Sequence, residues 1–504
     1  MRSIPVRAFL SRASFLALAA IAFSHGAGIA AEIPLTMRDI GRIAVMNHPD
    51  LRTAAFSPAL AVTGVDKSKA IYDPVLNALA EIKGSDNKSS PDSSVTLVSR
   101  SWDAGLSLSS LLQTGATASA SVSGVWRRDD NGFSTIDSAS PEVSVSLSQP
   151  LFKGAGKSMT ERGITSANYA LEIAEADWYS QMLSVAAKAC TQFLTLLKTR
   201  ESNESRKASV EAAKRLHAEN DARVKAGVLA PIDLLDSELG VATREVDLLQ
   251  ADKAVRDAED ALRYLLHASD NDAFGPAELL AEPESPYVSD NAIGTALERR
   301  PELAKARIAI RNEDFNVSVA RNQMLPDLSM KGTAGLTGMG SDTHRGVADV
   351  AEARYPFWTL GIELAFPIRN GAARADYRSS RLRTAQAQSA LSALEDSIVL
   401  EVNNALRTID TRYRQIGVAR KGVQVAESRL ASFVKRNALG MATTRNVLDA
   451  EADLTAARES LTLAKADYQS ALIELWRATG ELPEKEGIEV SMNELVRKRL
   501  QDIR

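Results

Sequence analysis

The chain combines two kinds of hydrophobic pattern, and the first has a period of two. In "EVSVSLS" (142–148) and "TLGIELAFPI" (359–368), apolar side chains occupy every second position. Such alternation with small polar residues predicts strands that have one apolar and one polar face. A membrane barrel shows this pattern and so does any half-exposed sheet, and the alternation alone favours the ordinary sheet.

The second pattern predicts very long helices. Ser158 to Ala226 is a long stretch without proline, and Ala372 to Leu439 is another of similar length. At about 1.5 Å per residue, each would form a helix of roughly 100 Å. A helix of that length cannot be covered by a small domain of its own, so a bundle or coiled coil is expected.

A second helix is predicted to return after each long one, over residues 232–266 and 446–478. In the later helix, apolar residues recur at alternating steps of three and four, which is the heptad pattern of a packed seam. The earlier helix has an equivalent seam that Arg244 interrupts. Gly227 and Gly440 separate the members of each pair and predict the turns of two helical hairpins. The seam residues are Leu454, Ala457, Leu461, Ala464, Tyr468, Ala471 and Leu475, with Leu248, Ala251, Val255, Ala258 and Leu262 in the earlier helix.

The order of these elements occurs twice in the chain. "NHPDLRTA" at Asn47 matches "RRPELAKA" at Arg299, and "AGVLAPIDLLDSE" matches "LGMATTRNVLDAE" around the two turn glycines. We therefore predict two repeats, residues 32–270 and 271–504, because a repeated order of elements indicates a repeated architecture. Each repeat holds an opening helix, strands and a long helical hairpin, and the second ends in a short C-terminal segment. The opening helices are predicted over residues 36–71 and 290–324.

The strand region of the first repeat is longer than that of the second. The stretch from Pro74 to Pro150 is almost twice as long as the one from Pro326 to Pro367, so the first region contains an insertion. The additional residues form either an additional hairpin or a lengthened loop near residues 85–135. Two tryptophans at positions 102 and 126 bracket part of this insertion and fit a bilayer interface or an ordinary core equally well.

The N-terminus predicts export from the cytoplasm. Three arginines, the apolar run "FLALAAIAF" and the small residues "GAGIAA" together predict a secretory signal peptide over residues 1–31. Its removal takes away those three arginines and no acidic residue, which changes the formal net charge from −4 to −7. A negatively charged chain of this kind is not expected to bind nucleic acid.

The only cysteine, Cys190, lies within the first long helical stretch. An intrachain disulfide is therefore excluded, and a lipid anchor on an N-terminal cysteine is not expected. After the signal peptide no apolar run approaches the length of about 18 residues that a membrane helix needs, so strands would have to make any contact with a membrane.

The stretch "QPLFKGAGKS" (149–158) ends like a phosphate-binding loop. Such a loop needs glycine at both ends of its turn, and Leu151 occupies the first glycine position here. We therefore interpret Gly154 and Gly156 as residues that let a strand bend into a helix. The few histidines are scattered without ligand spacing, and no nucleophile motif is present, so no enzyme activity, cofactor or metal site is expected.

The duplicated order of "NHPDLRTA", strands, "QPLFKGAG", long helix and "AGVLAPIDLLDSE", followed by "RRPELAKA", "FPIRNGAAR" and "LGMATTRNVLDAE", resembles the TolC-like outer membrane efflux proteins. The resemblance implies a mixed α and β membrane protein. Three copies would join their strands into one β-barrel through the lipid of the outer membrane, and the long helices would continue it as an α-helical barrel in the periplasm.

The resemblance also implies a function and partners. The protein would be the passive outer-membrane exit channel of a tripartite efflux or secretion system, gated at the hairpin tips. Its partners would be a periplasmic adaptor (membrane fusion) protein and an inner-membrane pump. By the same resemblance, strand-to-helix junctions are expected at Pro150, Gly154, Gly156, Pro367 and Gly371.

Two candidate sites follow from the resemblance. The hairpin turns would be adaptor-docking tips, with the alternative that they are only turn residues. Similar proteins narrow their entrance with two acids in a D-V-L-D pattern, which reads Asn446-Val447-Leu448-Asp449 here. Three copies of Asp449 would form an anionic ring with half the charge of a ring that carries both acids. The alternative is that Asp449 is only a solvated carboxylate near a helix N-terminus. The tip residues are Gly227, Val228, Leu229, Gly440, Met441 and Ala442.

An alternative from another functional class is a periplasmic or surface coiled-coil protein without a pore. It explains the heptads and the signal peptide. It does not explain why both repeats place alternating strands ahead of a pair of long helices.

Overall fold

The computed structural model describes residues 33–88, 96–268, 274–276, 280, 282–283, 285–287 and 291–488. The predicted signal peptide and most of the predicted C-terminal segment lie outside these described residues.

Twelve α-helices and eight strands occupy the described ranges. The strands are β1 (Ile33–Leu35), β2 (Val75–Lys88), β3 (Thr96–Leu111), β4 (Thr117–Asp130), β5 (Thr135–Pro150), β6 (Phe274–Pro276), β7 (Asp327–Thr337) and β8 (Tyr355–Ala365). The helices are α1 (Met37–Asn47), α2 (Pro49–Ala54), α3 (Phe56–Lys69), α4 (Lys157–Thr160), α5 (Arg162–Lys225), α6 (Pro231–Leu266), α7 (Ala292–Arg299), α8 (Pro301–Gln323), α9 (Thr343–Ala351), α10 (Gly371–Ala438), α11 (Thr444–Thr479) and α12 (Leu482–Lys485).

The predicted opening helices are interrupted, and proline is the main cause. Pro49 starts α2 and Pro301 starts α8, and the residue before each proline has an extended ψ, 126° at His48 and 127° at Arg300. Proline lacks the N–H that an unbroken helix needs and disfavours helical geometry in the residue before it. The His48 imidazole then accepts the N–H of Asp50 at 3.1 Å and caps the new helix.

The long helices and their return helices are confirmed. Helix α5 has 64 residues and α10 has 68, so each is about 100 Å long. Helix α5 starts later than predicted because α4 forms a separate turn. The return helices α6 and α11 have 36 residues each, and α5 packs against α6 as α10 packs against α11. No helix in the described ranges has both the length and the apolar character to cross a membrane.

Two apolar clusters form the core where short helices cover the long hairpins. The first joins Ile40 of α1, Phe193 of α5 and Leu262 of α6. The second joins Ile409 of α10 and Leu475 of α11 with residues of α7 and α8. The predicted heptad seam of α11 contributes Ala464, Tyr468, Ala471 and Leu475 to the second cluster, as its period predicts.

The larger sheet is a six-stranded antiparallel meander in the order β2-β3-β4-β5-β7-β8. Four of its strands come from residues 75–150 and two from residues 327–365, so the additional residues of the first half form an additional hairpin. Trp102 and Trp126 lie directly opposite each other on β3 and β4, and Trp102 is 47% exposed, which excludes a buried core position for it.

The two faces of this sheet differ in polarity. A row of directly opposed residues on one face is apolar from β2 to β8, and Val145, Leu360 and Ile362 on the same face are more than half exposed. The other face has hydroxyls, with Ser119 bonded to Ser146 and Ser121 to Ser144. We call them the apolar face and the serine face. The apolar row is Ala78, Leu106, Val122, Val143, Leu336 and Pro356.

We predict that Leu475→Ala destabilises the helical domain, because Leu475 is fully buried in the second cluster. A buried Leu→Ala change leaves a cavity and lowers the free energy of unfolding by about 2–5 kcal/mol. The matched control is Leu463→Ala on the same helix, whose side chain is 46% exposed. Loss of helical circular dichroism with denaturant measures both, and equal midpoints would contradict this placement of the core.

Candidate functional site at the ends of the helical hairpins

Both hairpin turns have the same backbone geometry. Gly227 has φ 74° and Gly440 has φ 72°, and each closes the preceding helix with a hydrogen bond from its N–H, to Val224 O at 2.9 Å and to Asn437 O at 3.0 Å. A Cβ on either glycine would meet nothing within 4 Å. Glycine is therefore required by the left-handed backbone and not by lack of space.

The residues after each glycine present apolar surface. Val228 is 77% exposed and Met441 is 72% exposed, while Leu229 and Ala442 are half-buried. Each hairpin thus presents one largely exposed apolar side chain directly after its turn glycine.

Asn446 has a structural role at the start of α11. The hydroxyl of Thr443 accepts the N–H of Asn446 at 3.3 Å, and the amide oxygen of Asn446 accepts the N–H of Thr443 at 3.1 Å. This reciprocal capping box satisfies two donors that would otherwise lack partners at a helix start. The side-chain oxygen of Asn446 is thereby engaged locally.

Asp449 lies three residues further along α11, on the same side as Asn446. Its side chain is exposed, and no hydrogen bond or ion pair to it is present among the described residues. An exposed carboxylate without a local partner can act on ions in solution.

Two buried contacts connect the hairpins close to their turns. The amide of Asn220 on α5 donates to the Thr444 hydroxyl of α11 at 3.0 Å, and both residues are fully buried. The guanidinium of Arg223 donates to the side-chain oxygen of Asn437 at 3.0 Å, and the Asn437 amide donates to Ala442 O at 3.0 Å. The two contacts between hairpins join residues from opposite halves of the chain, so neither is visible as a local motif.

Arg244, which interrupts the predicted seam of α6, holds three helices together. The residue is 9% exposed, and its guanidinium donates to Ser209 Oγ of α5 at 3.2 Å and to Leu448 O of α11 at 2.7 Å. It also lies 3.5 Å from the carboxylate of Glu451. Close packing of α6 and α11 permits this contact, since a Cβ on Gly240 would meet the Leu448 side chain at 2.9 Å.

Glu451 is the buried partner of Arg244. Burial raises the pKa of its carboxyl, and the nearby charges of Arg244 and Arg215 oppose that shift. A buried ion pair contributes little net stability, but loss of one partner is costly because the other remains charged and desolvated.

Further from the turns the same interface stays polar. Arg206 of α5 donates to Glu459 of α11 at 2.5 and 2.8 Å and to Asp247 of α6 at 2.8 Å. Thr462 donates to Glu201 at 3.0 Å. We call these polar contacts of α11 with α5 and α6 the polar seam. Its residue pairs are Asn220–Thr444, Arg244–Leu448, Arg244–Glu451, Arg206–Glu459 and Glu201–Thr462.

The loop that resembles a phosphate-binding loop lies at a strand-to-helix connection. Pro150 ends β5, and Gly154 (φ 76°) and Gly156 (φ 89°) lie between it and α4. Backbone N–H groups of this loop already have protein acceptors: Gly154 donates to Asn322 Oδ1 at 2.7 Å and Gly156 to Thr114 O at 2.9 Å. These donors cannot also hold a phosphate, so the nucleotide interpretation is physically disfavoured.

The second connection uses different residues for the same bend. Pro367 follows β8 and Gly371 is the first residue of α10. The left-handed residue is Asn370 (φ 42°), whose amide donates to Met324 O at 2.9 Å. Sequence reasoning missed Asn370, although asparagine before a helix is a recognised signal for this geometry.

Comparison with known proteins supports one family. The sequence model described as "Outer membrane efflux protein" matches residues 42–267 and 292–481. The outer membrane efflux protein BepC of Brucella suis is 22% identical over 342 residues, covering 68% of this chain and 72% of the relative. Outer membrane protein TolC of Escherichia coli is 22% identical over 366 residues, covering 71% and 72%.

Solved structures share the fold. The channel CusC has a TM-score of 0.66 at 17% identity and covers 89% of this chain and 92% of its own. The outer-membrane channel OprN has a TM-score of 0.65 at 17% identity, covering 88% and 90%. The family match spans both strand regions and both hairpins, so it includes every element on which the candidate site depends. The chain is a member of the outer membrane efflux protein family, and its function is that of an outer-membrane efflux channel and not that of a coiled-coil protein without a pore.

Proposed function

We propose that three copies of the chain form a conduit, with a β-barrel in the outer membrane and an α-helical barrel in the periplasm. The observation that carries the proposal is the sheet, because an exposed apolar face joined end-on to two hairpins of about 100 Å fits lipid at one end and a tunnel at the other. Each protomer is built as two repeats, residues 32–270 and 271–504, and the order helices, strands, long helix and return helix in each half supports this division.

Assembly as a trimer is supported by apolar helix surface that one copy leaves uncovered. An apolar stripe runs along α6, and every member is more than half exposed. Residues of this spacing line one side of a helix and need a packing partner. The stripe consists of Ile232, Leu235, Leu239, Val246 and Leu249.

The channel conducts passively, and other proteins supply energy and substrate choice. Relatives of the chain serve different cargo, because they include a pyoverdine export protein and an alkaline protease secretion protein of Pseudomonas aeruginosa. A periplasmic adaptor and an inner-membrane pump are therefore the proposed partners of this chain. The exposed turn residues at Val228 and Met441 are the proposed adaptor contact.

Gating is proposed to occur at the polar seam. The middle of the hairpins is fixed by apolar clusters, whereas α11 contacts α5 and α6 near the turns through hydrogen bonds and ion pairs. Water can replace such contacts at small net cost, so the turn ends can separate while the core stays packed.

We expect the purified trimer to produce discrete conductance steps in a planar bilayer. Asp449→Asn removes three carboxylates from the proposed entrance ring, so we expect the preference for cations over anions to fall by about twofold or more. The control is Glu298→Gln on α7, an exposed acid far from the turns, which should leave selectivity unchanged. A protein that never inserts would disprove the conduit.

We expect Val228→Asp combined with Met441→Asp to weaken adaptor binding at least about tenfold, because a charge replaces apolar surface at a contact. Both side chains are exposed, so folding should be unaffected. Adaptor capture by the outer-membrane trimer and export in living cells are the measurements. The control is Phe133→Asp. Phe133 is 87% exposed in the loop between β4 and β5, at the end of the sheet away from the helices. An equal loss of adaptor binding in this control would rule out docking at the turns.

We expect Arg244→Met to open the polar seam, because it leaves Glu451 buried without its nearest opposite charge, a change that costs about 3–5 kcal/mol. Leak conductance should rise. The double variant Arg244→Met with Glu451→Leu removes both charges and should restore the low leak. Failure of the second change to rescue the first would refute the assignment of this pair as a seam contact.

A further inference from the structure

The six-stranded sheet has two edges without partners in one copy of the chain. Strand β2 pairs only with β3 and β8 only with β7 among the described residues. All 14 residues of β2 are exposed, as are all but one of the 11 of β8. In lipid, each unpaired backbone group costs several kcal/mol, so edges beside an exposed apolar face require another strand.

The directions of the two edge strands suit pairing between copies. Strand β2 leaves the helical end of the sheet at Val75, and β8 returns to that end at Ala365. Because the sheet is a meander with an even number of strands, β8 of one copy and β2 of the next run antiparallel when rotation about a common axis relates the copies.

The ends of the strands are staggered as a closed barrel requires. The apolar row joins Ala78 to Pro356, and from that row β2 extends three residues to Val75 while β8 extends nine to Ala365. The stagger is thus six residues across the five strand spacings within one copy, and the spacing to the next copy makes six. At about 3.3 Å per residue and about 4.8 Å between strands, it corresponds to a strand tilt of about 35°, within the range of closed barrels.

We propose that β2 of one copy pairs with β8 of the next copy, with Leu79 opposite Gly361, and that three copies thereby close an eighteen-stranded barrel. The register follows from placing Val75 of one copy directly opposite Ala365 of the next, because both residues lie at the edge of the sheet that adjoins the helices. It also brings Ile82 opposite Trp358 and so continues the apolar face across the boundary between copies. This inference rests on the trimer of the proposed function.

The additional hairpin determines the width of this barrel. The later strand region supplies two strands, and an equal contribution from the earlier one would give only twelve strands in three copies. With a spacing of about 4.8 Å and a tilt of about 35–40°, eighteen strands give a backbone diameter of roughly 35 Å, against roughly 24 Å for twelve. Barrels of sixteen to eighteen strands leave an aqueous channel.

The serine face would line this channel. Its hydroxyls on β4 and β5 are accompanied by the ion pairs Lys83–Asp103 and Lys331–Glu363. Small hydroxyl side chains and paired charges keep such a wall hydrated. The barrel section therefore offers bulky cargo a wide polar passage, and selection takes place at the periplasmic end.

Thiol crosslinking in outer membranes tests the pairing on the full chain. Leu79→Cys and Gly361→Cys both lie on the serine face, and a Cβ on Gly361 would meet nothing within 4 Å. Directly opposite residues have Cβ atoms about 5 Å apart, within reach of a short bifunctional thiol reagent. Cys190 can stay in place, because burial raises the pKa of its thiol to about 12 and keeps it unreactive.

The proposal predicts covalent trimers from Leu79→Cys with Gly361→Cys, and none from either single variant. A matched control is Leu79→Cys with Leu360→Cys, whose second thiol lies on the apolar face and should link at least about tenfold less, because neighbouring residues of a strand point to opposite faces. The single variants show whether each change permits normal trimer formation.

Two results would overturn the inference in distinguishable ways. In the first, trimers form normally, and Gly361→Cys links to Ser121→Cys on β4 but not to Leu79→Cys. This result would indicate a barrel of twelve strands and would leave the trimeric channel intact. Absence of trimers in the wild-type membrane, tested with a lysine-reactive reagent, would overturn both the barrel and the proposed trimer.

Discussion

A single copy of the chain leaves apolar side chains and backbone groups uncovered at both of its ends. The sheet has two open edges and an exposed apolar face, and α6 has a stripe of exposed apolar side chains from Ile232 to Leu249. Backbone groups in lipid need partners and apolar stripes in water need cover. The proposed ring of three copies meets both needs, because it places each edge and each stripe against a neighbouring copy.

In the proposed conduit, the helices divide two tasks along their length. Where α1 to α3 and α7 to α8 cover the long hairpins, apolar side chains such as Phe193 and Ile409 pack tightly and resist movement. Toward the turns, the polar side chains of Asn220, Arg244 and Glu451 are also buried, beside apolar residues such as Val447 and Leu448. Polar contacts can be exchanged with water or with a partner protein, which is why the proposed gating is assigned to the turn end and not to the middle of the hairpins.

Local signals in the sequence predicted most of the elements. The proline-free stretches gave both long helices to within a few residues at their C-terminal ends, and Gly227 and Gly440 marked turns whose φ values require glycine. Periodicity did not show the helix break at Pro49 or decide between a hairpin and a loop in the insertion. Both outcomes depend on what packs or pairs beside the segment, which a one-dimensional pattern does not record.

The order of helices and strands, the positions of the hairpin turns and the family of the chain can all be read from the sequence, because periodicity, glycine and proline act through neighbouring residues. The role of Arg244 became visible only in the packed helices. From the sequence it was an interruption in an apolar seam, yet it donates to Leu448 O, 204 residues away, and lies beside Glu451. Such contacts depend on which faces of distant helices meet, and a buried charge is costly unless its partners are in place.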